Sequence, residues 1–469
     1  MEDLKEQEYN IQDTWWKLYP RFEEIAWFDQ LIENEYLSID ETDHIINTTL
    51  EQILAFSFAQ VPYYQHLSRE SKLDQSDFKS VQDLEKLPII TRDFLQKNQH
   101  LLIANALPQG HEFSNRTKTS GSTGQPVEVL HTQNSLGMFA LLKQREFRWF
   151  RFDPRKKFAA IRARQDLPRL ANKNIVALKE TVFRPGWPIV SQYFQTGEFV
   201  GCAIANDLEW QLEWLQTHSP AYLLSLSANL EHLALGINDK NLDCSIEGLQ
   251  AISQTFTPQM RKIVNNAFKV DSQENYGLNE IGIVASRCPE IGNYHVHREH
   301  CLVEIVDENG KACKPGKTGK LLVTTLSNLA MPLIRYDTGD MAKAVETCQC
   351  GRTLPVFGEI QGRYRRIAHL PKGTWALWGT VQNTLSSMPN RYLTAITRYQ
   401  LHQFKNNSFE LRLESTKPLD TDLVNYISQA WKNACGENSV TLNIIAHENL
   451  NKDNKKKFDN FTSEFTPEI

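Results

Sequence analysis

Cysteine is scarce in this 469-residue chain, with 8 in all. That is too few for a disulfide scaffold, so a packed core must carry the fold. An excess of cations is also missing: Lys and Arg total 51 against 56 Asp and Glu, for a net charge of −5. A general nucleic-acid binder is thereby excluded, since it needs surplus positive charge against phosphates, and the local run Lys455–Lys457 does not change this. No apolar stretch approaches the roughly 18 residues of a membrane span. The start, Met-Glu-Asp-Leu-Lys-Glu, lacks the basic and then apolar pattern of a secretory signal, so a cytoplasmic location is expected. Neither an internal repeat nor a low-complexity tract occurs. What is present suits a large core, with 41% hydrophobic residues, 10 Trp and 23 Phe, at 23% charged residues and a mean hydropathy of −0.45. At roughly 150 residues per domain the length predicts two to four structural units.

Residues 1 to about 70 carry apolar and aromatic side chains at helical spacing, among them Trp15, Trp16, Tyr19 and Phe22, then Ile45, Ile46, Leu50 and Ile53. Thr91 or Asp93 is placed to cap a helix running through Phe94 and Leu95. From 133 to about 270, helical segments (Ser135–Phe150, Leu208–Thr217, Asn229–Leu235) alternate with strand segments (Lys157–Arg162, Tyr222–Leu226), which predicts a layered α/β domain. Thr257-Pro258 starts a further helix. Between 300 and 345 the pattern turns antiparallel: Cys301–Val306, Gly319–Thr325, and a strand within Met331–Asp340 that ends in a polar turn. Gly310–Thr318 approaches a phosphate-loop pattern, but its first glycine is one residue too far away, so a turn is expected. Past Gly362-Arg363 a hairpin about Lys405–Ser408, a helix face (Leu423, Tyr426, Ile427, Ala430, Trp431) and a strand at Val440–Ile444 predict a small α+β unit.

Two constellations carry chemistry. In Thr117-Lys-Thr-Ser-Gly-Ser-Thr-Gly-Gln-Pro126, hydroxyl residues alternate with glycines, so backbone N–H and side-chain O–H groups can converge on an anion. Cys288, His295, Cys348 and Cys350 form a Cys₃His set suited to a closed tetrahedral zinc site, with His297 as an alternative to His295.

In order and spacing, Thr119-Ser-Gly-Ser-Thr-Gly124, Tyr276-Gly-Leu-Asn-Glu280, Gly319-Lys-Leu-Leu-Val-Thr-Thr325, Arg335-Tyr-Asp-Thr-Gly-Asp340 and Gly362-Arg363 resemble the adenylate-forming acyl-CoA synthetase superfamily. More narrowly, with Val61–Tyr64, Leu87–Thr91 and Cys348–Thr353, the chain resembles the phenylacetate-CoA ligase and capsule-biosynthesis branch over about residues 50 to 469. The resemblance implies an α/β fold. A large layered N-terminal domain at 1–362, with sheets flanked by helices and a β-rich subdomain, would precede a small mobile α+β lid at 363–469. It implies ATP- and Mg²⁺-dependent activation of an aryl or acyl carboxylic acid to an acyl-AMP, then transfer to a thiol, foremost coenzyme A. A carrier-protein phosphopantetheine or an amine as acceptor, and a scaffold that binds nucleotide without catalysis, stay open.

By the same resemblance, Thr119, Ser120, Gly121, Ser122, Thr123 and Gly124 would meet the β- and γ-phosphates. Ser253, Gln254 and Thr255 would face adenine. Tyr276, with Gly277 and Asn279, would pack on the nucleotide, Glu280 would hold Mg²⁺, Asp340 the ribose hydroxyls, and Arg363 the ribose or phosphate. Lys457, ahead of Phe458, would reach the carboxylate and the α-phosphate. Certain relatives carry structural zinc on similar cysteines and histidine. The acid pocket is expected between about Pro185 and Ser225 and near Gly277, with Phe183, Trp187 or Tyr193 as stacking candidates. A homodimer is the commonest assembly for such a chain.

Overall fold

A computed structural model describes residues 22–118, 127–164, 166–167, 175–253, 256–363, 396–406, 408–415, 418–435, 440–448, 450 and 461–464. The chain begins with helices α1 (Phe22–Glu33), α2 (Ile39–Gln60) and α3 (Pro62–Ser71). At the head of α2, Ser38 and Glu41 cap each other's backbone amides, and Pro62 occupies the first turn of α3, where no amide donor is needed. Thr91 caps α4 (Arg92–Asn98), its hydroxyl accepting from Phe94 N at 3.1 Å, so the cap is Thr91 rather than Asp93.

β1 (Phe113–Lys118) and β2 (Glu128–Thr132) pair antiparallel as a separate two-stranded sheet. Then follow α5 (Gln133–Trp149), β3 (Phe158–Arg162), β4 (Thr181–Arg184), β5 (Phe199–Ala203), α6 (Leu208–His218), β6 (Tyr222–Leu226), α7 (Ser227–Lys240), β7 (Gly248–Ile252) and α8 (Pro258–Phe268). The antiparallel part comprises β8 (Ser272–Leu278), β9 (Gly282–Arg287), β10 (Tyr294–Val296), β11 (Cys301–Val306), β12 (Thr318–Thr325), β13 (Tyr336–Ala344) and β14 (Val356–Arg363). Last come β15 (Ile396–Gln403), β16 (Phe409–Ser415), α9 (Thr421–Cys435), β17 (Leu442–His447) and β18 (Phe461–Ser463).

Strands β3 to β14 join into one 12-stranded sheet of order β11-β12-β13-β14-β10-β9-β8-β7-β6-β3-β5-β4. β8 is the seam. It runs parallel to β7 on one side and antiparallel to β9 on the other. On the parallel side, helices cover both faces. Phe147, Phe158, Trp187 and Tyr222 pack on one, and Leu212, Leu230, Leu233 and Phe268 on the other. On the antiparallel side, α2 and α3 bury Leu50, Ile53, Leu54 and Tyr64 against Tyr294, Val323 and Tyr336. The second sheet, β17-β16-β15-β18, has its own core of Leu401, Phe409, Leu411, Leu413, Ile427 and Trp431.

The polar turn expected at the end of Met331–Asp340 is instead the start of β13. Arg335 takes a left-handed backbone (φ 53°), and the chain then straightens as Asp337 N donates to Ile90 O at 2.9 Å and Ile90 N to Arg335 O at 3.1 Å. The Leu87–Thr91 segment thus holds these polar residues extended. Gly310–Thr318 is the connection between β11 and β12, as expected. Among the described residues no helix is long and apolar enough to cross a membrane.

Candidate active site

Ligands of open α/β sheets bind beyond the carboxyl ends of strands, where the topology changes. Here that place is the end of β8. Tyr276 lies on β8, and its buried hydroxyl donates to Asp340 Oδ2 at 2.7 Å, which links the second motif to the fourth. Its ring meets Phe357 edge-on, with centroids 6.0 Å apart. Sheet register sets Asp340 opposite Arg363, adding the fifth motif. A Cβ on Gly277 would come within 2.7 Å of Gly282 O, so glycine is required for β8 and β9 to close around the turn that carries Glu280.

Glu280 is buried, and its Oε1 accepts from Arg92 Nη1 at 2.7 Å and from Tyr336 OH at 3.1 Å. Among the described residues Oε2 accepts no hydrogen bond. Next to it, the Asn279 carbonyl accepts from Thr117 Oγ1 at 2.9 Å. Having spent its only proton there, the Thr117 hydroxyl must accept from His131, whose Nε2 lies 2.8 Å away. Burial lowers the pKa of this histidine. The first motif, 119–124, connects β1 to β2 and lies outside the described residues, but its entry strand is fastened to the turn bearing Glu280.

Ser253 follows the end of β7, beside β8, with a left-handed backbone (φ 65°). Gln254, Thr255 and Lys457 lie outside the described residues. Of the three aromatic candidates, Trp187 is fully buried in the core with Nε1 donating to Lys156 O at 3.0 Å, which makes it packing rather than pocket wall. Phe183 is exposed on β4, at the end of the large sheet. Tyr193 is partly buried, packed against the core that holds Trp187.

The cysteine set also converges. Cys288 follows β9, His295 lies on β10, and Cys348 and Cys350 precede β14; their ligand atoms all lie within 4.8 Å of one another. His295 Nε2 is 3.2 Å from Cys350 Sγ, and Cys348 Sγ is 3.8 Å from Cys288 Sγ. Burial lowers His295 to about 4, leaving the imidazole neutral as a ligand requires, and pushes Cys288 up to about 12. His297 turns elsewhere, with Nε2 3.0 Å from Ser286 Oγ, so His295 is the member of the set. Outside the cluster, Glu290 accepts from Cys288 Sγ at 3.2 Å and from Arg352 Nη1 at 3.0 Å, and Arg352 lies 4.9 Å over the Trp149 ring.

Sequence reasoning missed Arg92, His131, Glu290 and Arg352 as site residues. For Arg92 a signal existed, because a cation in the first turn of a helix opposes the helix dipole and needs a reason. For the others no spacing announces the contact.

No family model matches the chain. In sequence it is similar to phenylacetate-coenzyme A ligase of Thermus thermophilus, 28% identical over 326 residues, covering 67% of this chain and 68% of that protein. The Escherichia coli K12 phenylacetate-coenzyme A ligase is 24% identical over 340 residues, covering 70% and 72%. In structure it is similar to 2-hydroxyisobutyryl-CoA ligase in the postadenylation state, with a TM-score of 0.68 at 15% identity over 92% of this chain and 91% of that one. Anthranilate CoA ligase in complex with anthranoyl-AMP gives a TM-score of 0.51 at 14% identity over 87% and 78%. The chain is thus similar in sequence to phenylacetate-coenzyme A ligases and shares the fold of the solved 2-hydroxyisobutyryl-CoA ligase.

Proposed function

We propose that the chain is an AMP-forming acid:CoA ligase acting on an aryl or acyl carboxylic acid. A carboxylate oxygen attacks the α-phosphorus of ATP and pyrophosphate leaves; the thiolate sulfur of coenzyme A then attacks the acyl carbon and AMP leaves. One observation carries this reading: segments far apart in sequence meet at the end of β8, through Thr117 on Asn279, Arg92 and Tyr336 on Glu280, and Tyr276 on Asp340. In this role Asp340, oriented by the Tyr276 hydroxyl, accepts from the ribose hydroxyls. Glu280 would hold Mg²⁺ through Oε2, and the cation would neutralise phosphate charge. Thr119–Gly124 supplies hydroxyls and amides to the β- and γ-phosphates, Ser253–Thr255 faces adenine, and Arg363 meets ribose or phosphate. Residues 363–469 form the lid that brings Lys457 to the carboxylate. Lys457→Ala should abolish adenylate formation yet leave transfer from preformed acyl-AMP largely intact.

We assign Zn²⁺ to Cys288, His295, Cys348 and Cys350, where three sulfurs and one nitrogen match a closed structural site. The unpaired cysteines of the described residues suit a reducing cytosol. The function is tested by ATP–pyrophosphate exchange across phenylacetate, other aryl acids and fatty acids, followed by addition of coenzyme A. Exchange with at least one acid and CoA-dependent release of AMP are expected. The absence of exchange with every acid would sink the reading.

A further inference from the structure

Helix α5 carries a lysine into the interior. Lys143 is 7% exposed, and its ammonium donates to Glu146 on the same helix and to Gln250 Oε1 of β7 at 2.7 Å. The carboxylate is also held from behind: Glu146 Oε2 accepts from Gln250 Nε2 at 2.6 Å, and Oε1 accepts from Ser286 Oγ of β9 at 2.8 Å. Ser286 spends its only proton there, so it accepts from His297 Nε2, 3.0 Å away, while Arg145 Nη1 faces His297 Nδ1 at 3.4 Å. An ammonium has three protons. Two of them are used on Glu146 and Gln250. Among the described residues no oxygen accepts the third, and the Lys143 ammonium lies 4.9 Å over the Phe147 ring.

This lysine stands close to the turn that bears Glu280. Four residues earlier on the same face of α5, Phe139 abuts Gly282, where an added Cβ would come within 3.3 Å of its ring. Four residues of helix rise about 6 Å, the reach of an aryl ring with its carboxyl arm. Met138 of α5, Leu224 of β6 and Ile252 of β7 all belong to the apolar cluster under this helix, yet each is 8% exposed, whereas Leu142 in the same cluster is fully enclosed. Open space therefore reaches down from the strand ends to the level of Lys143, within the stretch where the acid pocket is expected. Arg162, ending β3, adds a second positive charge nearby, but Asp166 matches it at 3.2 Å as Glu146 matches Lys143. No charge is left over for a second carboxylate. A neutral oxygen fits the third N–H instead. Packing alone gives no reason for the cation, because apolar residues of similar volume often replace a buried ion pair without loss of stability.

We propose that Lys143 is a specificity-determining residue of the acid site, its third N–H donating to a neutral oxygen at the end of the acid remote from the reacting carboxyl. The substrate class is then aryl or acyl acids with a terminal hydroxyl or carbonyl oxygen, in preference to the plain hydrocarbon acids. The inference rests on the reading of the chain as an AMP-forming acid ligase. A purely structural lysine would only tie α5 to β7 and would treat an acid and its hydroxylated counterpart alike.

ATP–pyrophosphate exchange on the full chain compares matched pairs: phenylacetate with 4-hydroxyphenylacetate, and hexanoate with 6-hydroxyhexanoate. In a pair that supports exchange, the hydroxylated member should have the higher kcat/KM by about tenfold or more, the scale of leaving one buried donor without its partner. Lys143→Met should erase or reverse that preference, mainly by lowering the rate with the hydroxylated acid. If Lys143→Met does not fold, the ratio is read in Lys143→Met combined with Glu146→Gln, which removes both charges together. Exchange that favours the plain acid in the parent, or a ratio unchanged in the folded variant, would overturn the proposal and leave the ligase reading standing. Exchange with no acid at all would overturn both.

Discussion

Tyr276 is where the site's ring packing and its hydrogen bonding meet, since the ring abuts Phe357 while the hydroxyl fixes Asp340. Removing the oxygen alone keeps the packing. Tyr276→Phe should therefore raise the KM for ATP several-fold, about 1 kcal/mol for one buried hydrogen bond, without a loss of thermal stability of similar size. Steady-state kinetics with ATP varied at saturating acid would check this. Glu280 and Asp340 were legible because each sits in a run of residues whose combined pattern is distinctive. The pairing of Arg92 with Glu280 was not, since a cation in the first turn of a helix signals that a partner is needed but does not name one 188 positions away.

At the scale of elements, short apolar runs revealed strands such as β3 and β6, which are buried on both faces. β6 and β11 lie at the bounds their sequences predict, and β3 and β12 within one residue of theirs. β10, three residues long, was too short to show a period, and β14 is interrupted by Gly358 and Gly362. The turn between β10 and β11 gathers His297 and His300, both buried. Burial lowers His300 to about 4 and His297 well below its ordinary value of 6.5. An unfolded chain takes up these protons as pH falls below about 6.5, while the folded chain resists until about 4, so unfolding binds protons across that window. Stability is expected to be fully present above pH 6.5 and to decline steadily toward pH 4, as read from urea midpoints. Metal at the neighbouring cysteine set is open to a separate test. Cys350→Ser should release about one zinc per chain and lower the melting temperature by several degrees, because structural zinc contributes directly to folding. Metal analysis of freshly purified protein beside calorimetry would decide it.

For the molecule as a whole, the second sheet was legible as a separate unit from its change of texture after 363, whereas its seat on the larger part was not. Arg398 of β15 donates to Glu231 of α7 at 2.8 Å, and the Glu231 side chain is only 2% exposed. Met341 of β13 joins the apolar cluster of the second sheet. Burial raises the pKa of Glu231, so the carboxylate depends on its counter-ion. Arg398→Ala should loosen this seat by about 3 kcal/mol, the usual cost of stranding one member of a buried pair. Faster amide exchange in α7 and β15, with little change in α2, would show it.

The seam at β8 bears on how such a protein can change over time. The proposed nucleotide contacts fall on β8 and the turn after it, on β13 and β14 of the antiparallel part and on the β1–β2 connection, while the helix-covered parallel strands contribute only Ser253 and the two residues after it, behind β7. A region that recognises the acid can then diversify on the parallel side without disturbing the phosphate chemistry. Exchanging the stretch from β3 to α7 between two such ligases should alter which acid is consumed while leaving the ATP requirement in place. The architecture is modular within a single continuous sheet.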